Sequence, residues 1–122
     1  MKNETSVTLP HEAELVEFFG SEPHERAPAD GYWSYEATDS RGIGLQLSFN
    51  ILERSVQTVL SLLGEEVAVI SHEGLTSVVL QGTQDKRVLI AETQSADTKS
   101  RLHVELVPTI QVLWSTLLLA HQ

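Results

Sequence analysis

The sequence predicts an α+β domain in which one N-terminal helix packs on a predominantly antiparallel meander sheet of about six to eight strands. Three observations carry this reading. Apolar residues recur at helical spacing near the start of the chain. From Gly31 onward they alternate with polar residues at period two, the mark of strands with one buried face. Short turns at intervals of roughly 8 to 13 residues favour antiparallel neighbours, because parallel strands need long crossovers.

The helix is expected over residues 10–20. Thr8-Leu9-Pro10 offers an N-cap and a proline near the first turn, Ala13, Leu15, Val16, Phe18 and Phe19 supply an apolar face, and Gly20 stops it. Residues 21–30, with Pro23, Pro28 and the closing Asp30-Gly31, read as a surface loop. Antiparallel strands are expected over residues 31–115. Residues 32–38 form the first, and Asp39-Ser40-Arg41-Gly42 turns it into the clearest strand, where Ile43, Leu45, Leu47, Phe49 and Ile51 share one face. Strands follow over 55–63, 67–72 and 75–81, with Gly64-Glu65 and Glu73-Gly74 as their turns. Gln84-Asp85-Lys86 precedes a strand at 88–93, and Leu102, Val104 and Leu106 then alternate with His103 and Glu105. Beyond Pro108, Ile110, Val112 and Trp114 resume the alternation, and the tail Leu117-Leu118-Leu119 reads as strand or short helix. At 122 residues the chain is one domain, 1–122, with a single core.

Seventeen acidic against eight basic residues give a net charge of −9, which opposes binding to phosphate backbones and anionic membranes. No nucleic-acid or membrane partner is expected. The absence of cysteine excludes disulfides, thiolate metal sites and thiol nucleophiles. The first six residues carry no apolar run after Lys2, and no apolar stretch approaches a membrane span, so a cytosolic location is expected.

No catalytic or metal motif stands out. His11, His24 and His72 each precede a glutamate, but adjacent residues point to different faces. Ser71-His72-Glu73 has the letters of a hydrolytic triad, which consecutive residues cannot assemble. Gly42-Ile43-Gly44 opens a strand and has no helix with which to hold phosphate. Neither a cofactor nor a metal is expected.

The order of certain segments resembles small immunity proteins encoded next to Rhs-type and related polymorphic toxins. The segments are Phe18-Phe19-Gly20, then Asp30-Gly31-Tyr32-Trp33-Ser34-Tyr35, then Leu47-Ser48-Phe49-Asn50 with the segment from Glu53 to Thr58, then Ser71-His72-Glu73-Gly74, and a last strand around Pro108 and Trp114. The resemblance implies a protein that binds and neutralises a cognate toxin domain without catalysis of its own. It supplies no binding residues, so the candidates come from charge: through Asp30 there are seven acidic residues and two basic ones. Glu12, Glu14, Glu17, Asp30 and Glu36 are the candidate steering carboxylates for a basic toxin domain, with Trp33 as the anchor. First-turn carboxylates also stabilise a helix on their own account. The alternative is a small-molecule-binding or catalytic domain that uses the concave face of the sheet, with His72, His103 and Glu105 as its polar groups. A homo-oligomer pairing through an edge strand is a third reading.

Overall fold

The computed structural model describes residues 6–83 and 85–119, in the order α1 (Glu12–Phe19), β1 (Glu25–Ala27), a 3-10 turn (Pro28–Asp30), β2 (Tyr32–Thr38), β3 (Ile43–Asn50), β4 (Ser55–Leu62), β5 (Glu65–Glu73), β6 (Leu75–Thr83), β7 (Lys86–Gln94), β8 (Thr98–Val107) and β9 (Gln111–Leu118). Met1 to Thr5, and Gln84 in the turn expected before β7, lie outside the described residues.

Every neighbouring strand pair is antiparallel and consecutive, as the meander pattern implies, but the strands divide into two sheets, β1–β5 and β6–β9. The expectation of one sheet of six to eight strands is therefore corrected to nine strands in two sheets among the described residues. The break falls at Gly74. Glu73-Gly74 reads as a hairpin turn, yet β5 runs into β6 through this one residue and the two strands do not pair. Gly74 has φ +88°, and its N–H and that of Leu75 both donate to the Arg54 carbonyl, at 2.7 and 3.0 Å. The Arg54 side chain returns a bond from Nε to the Leu75 carbonyl at 3.2 Å, so one residue holds both sides of the corner where the chain changes sheet.

Alternation then fixes the core. Tyr35, Leu45, Leu47, Phe49 and Val56 on the first sheet meet Leu75, Val78, Leu89, Ala91, Leu102 and Val104 on the second in one buried cluster that also takes in Leu15, Phe18 and Phe19 of the helix. The ring of Phe19 stacks on Tyr35 at 4.8 Å. Between the sheets, the Trp114 indole N–H donates to Thr58 Oγ1 at 3.1 Å, and its ring stacks on His72 at 4.3 Å.

The helix is shorter than expected, and its N-cap is His11, not Thr8. Thr8 is engaged elsewhere: its N–H donates to the Thr76 carbonyl and its carbonyl accepts from Val78, a bridge along the free side of β6. The His11 N–H donates to Glu14 Oε1 at 2.9 Å, which ties the start of the helix. Its other end is held by Gly20 at φ +77° and by Arg87, whose guanidinium donates to the Phe18 carbonyl at 2.9 Å. The expected loop at 21–30 contains β1, which adds an edge to β2. The tail is strand through Leu118, with no helical turn among the described residues. No described helix is long and apolar enough to cross a membrane.

Candidate partner-binding surfaces

The first candidate surface forms where α1 crosses β1 and β2. Glu12 in the first helical turn accepts from Trp33 Nε1 at 3.0 Å and forms an ion pair with Arg26 of β1, whose Nη2 lies 3.1 Å from Oε1. The Arg26 hydrogen bond is the largest influence on the Glu12 carboxyl and, with Trp33, holds it below the usual carboxylate range. Two of the residues proposed from sequence, Glu12 and Trp33, are thus brought together across 21 positions of chain. Arg26 offsets the Glu12 charge, and the half-buried Trp33 ring stacks on Phe49 at 5.8 Å.

Glu14 and Glu17 are exposed on the helix and face a different opening, an open groove of about 650 Å³ whose other walls include Leu80, Gly82 and Arg87. Asp30 ends the 3-10 turn in solvent. Glu36 stands on the outer face of β2, opposite in parity to the core residue Tyr35, with His24 Nδ1 at 3.5 Å. The six candidates therefore spread over several directions: Glu12 with Trp33, Glu14 with Glu17, and Asp30 and Glu36 each apart.

The histidines do not converge. His72 is on the inner side of β5 against Trp114, whereas His103 and Glu105 alternate with the buried Leu102 and Val104 and so project from the outer face of β8. Ser71 has the opposite parity to His72, and its hydroxyl donates to Gln57 Oε1 at 2.7 Å. Among the described residues no group of three or more His, Asp or Glu could hold a metal ion.

One further surface was not singled out from sequence. The β4–β5 hairpin turns through Leu63 and Gly64, with φ +51° and +87°, the two positive values a two-residue type I′ turn requires. It exposes Leu62, Leu63, Val67 and Val69 beside Glu65 and Glu66. The signal was present in the segment's composition, since residues 55–73 contain three glutamates and no lysine or arginine.

With this arrangement in view, comparisons with known proteins bear on the fold. No protein-family model matches the chain, and no curated protein matches its sequence. Among solved structures, the chain is similar to a chain of the contact-dependent growth inhibition toxin–immunity protein complex from Klebsiella pneumoniae 342, with a TM-score of 0.83 and 23% identity. The match covers 91% of this chain and 97% of that one. At that level of identity the likeness establishes a shared fold.

Proposed function

We propose that this chain is an immunity protein that binds a cognate toxin domain and blocks it, without catalysis of its own. The observation that carries the reading is the near full-length structural likeness to a chain from a toxin–immunity protein complex. The resemblance of segments such as Phe18-Phe19-Gly20 and Ser71-His72-Glu73-Gly74 to immunity proteins supports the same role from sequence.

The charge supports it as well. A net charge of −9 suits a basic partner, because complementary potentials raise the encounter rate and select against wrong partners. Glu14, Glu17, Asp30 and Glu36 are exposed and available for steering, while Glu12 is committed to Arg26 and Trp33 and acts in positioning the tryptophan. The site of action is the cytosol, and the toxin is of the polymorphic class, Rhs-type or delivered by contact.

Growth rescue tests the proposal. The C-terminal domain encoded immediately upstream is induced in cells with and without this chain. The reading predicts arrest without it and growth with it, and equal arrest in both would overturn it.

A further inference from the structure

We infer that the free edge of β5 is a receptor for an extended, basic segment of the partner, which adds as a further strand to the first sheet. The identity of that partner as a toxin rests on the immunity reading; the edge itself rests on the geometry.

The four sheet edges are not alike. β1 is three residues long, and β6 carries the Thr8 bridge on its free side. β9 has cations beside it, since Lys99 and Arg101 of β8 pair with Leu117 and Ser115. Among the described residues β5 is nine residues long with no strand on its outer side. Val67, Val69 and Ile70 are 63%, 54% and 37% exposed. Lysine and proline, which commonly blunt an exposed edge, are both absent from β5, and a bulge interrupts it where Ser61 pairs with Glu66 and Leu60 with Ala68. Beyond the bulge, residues 68–73 pair with β4 without interruption, leaving a regular six-residue edge.

Charge decides the occupant. Glu65 and Glu66 stand at one end of β5 and Glu73 at the other, and none of them has an ion-pair partner among the described residues. A second copy pairing antiparallel over the whole strand would set Glu65 against Glu73 at both ends, and in-register parallel pairing would set each glutamate against itself. Like charges directly opposite destabilise a ladder, whereas opposite charges contribute to it. The edge therefore disfavours its own copy and fits a strand with small apolar residues at its centre and Lys or Arg at its ends. Main-chain bonds would supply affinity and the terminal cations specificity.

The probe is a capped peptide, Arg-Thr-Val-Thr-Val-Thr-Val-Arg, titrated into the isotope-labelled full chain beside its counterpart with Glu at both ends. Amide shifts are expected to concentrate in residues 65–73, with the Arg peptide bound about tenfold tighter and the preference reversed in the variant Glu65→Lys with Glu73→Lys. Shifts elsewhere, equal affinities, or β5 shifts that track self-association of the chain alone would overturn the inference. Hydrogen exchange with the upstream-encoded domain separates this inference from the immunity reading. A complex that protects β5 supports both, and a complex that leaves β5 exchanging freely removes the edge inference alone. If no complex forms, the immunity reading fails, and a positive peptide titration then assigns the edge to a different basic partner.

Discussion

Trp114 joins the two sheets by hydrogen bond and stack together, and its replacement by Phe has a calculable cost. The substitution removes the N–H that reaches Thr58 Oγ1 at 3.1 Å, leaving the hydroxyl of a residue only 2% exposed without that donor, a loss of about 1 kcal/mol or more. It also removes the pyrrole edge from the packing, about 40 Å² of contact, worth about 1 kcal/mol at ~25 cal/mol per Å². Trp114→Phe should therefore destabilise by about 2 kcal/mol, and Thr58→Val, which leaves the half-buried indole N–H unpaired, by about 1 kcal/mol. In the double variant both polar groups are gone, so the loss should be about 2 kcal/mol instead of the additive 3, a coupling of about 1 kcal/mol. Urea unfolding followed by far-UV circular dichroism measures each value, and 2 kcal/mol moves the midpoint by about 1 M. Strict additivity within about 0.3 kcal/mol would refute the bond as a link between the sheets.

Other consequences follow from particular residues. A Cβ on Gly74 would lie 2.2 Å from the Gln94 carbonyl oxygen at φ +88°, so Gly74→Ala should cost about 2 kcal/mol or more by the same urea assay. The Asp39 carboxylate is 4% exposed; burial pushes its pKa up, but bonds from the Ile110 N–H, Arg41 and the Ile43 N–H outweigh this and bring it down to about 2. A depressed carboxylate stabilises the fold above its unfolded pKa of about 3.9 and loses that contribution as pH falls through its folded value. Stability should thus fall between about pH 4 and pH 2, and the fall should be shallower in Asp39→Asn, as read from melting temperatures across that range. Joint reversal of Glu14 and Glu17 to lysine should slow association with a basic toxin domain severalfold at low salt and little at high salt; unchanged stopped-flow rates would remove the helix from the encounter surface.

Most strands were legible because period two is a local property of the sequence. Ile43 to Phe49 and Leu102 to Leu106 show their buried faces directly. Which strands share a sheet is not local: Glu73-Gly74 has turn composition whether the chain folds back or changes sheet, and the bonds that hold the corner come from Arg54 and Gln94, both distant in sequence. β1 leaves no periodic signal in the sequence because Glu25-Arg26-Ala27 is too short and polar to alternate. Thr8 fits an N-cap by type, but the long-range bridge to β6 claimed its backbone and the cap passed to His11. The tail was ambiguous because β9 is an edge strand with Leu113 and Leu117 exposed on its outer side, which blurs the distinction between its faces. At the candidate surfaces, acidity near the start was visible, but the Glu12–Trp33 contact spans 21 residues and the free edge of β5 exists only once the sheet order is known.

Binding of the purified upstream-encoded C-terminal domain to this chain tests the central claim most directly. Calorimetric titration of an inactivated form of that domain should give a one-to-one complex with nanomolar or tighter affinity, weakening as salt is raised. The absence of heat and of co-elution at micromolar concentrations would contradict the immunity assignment.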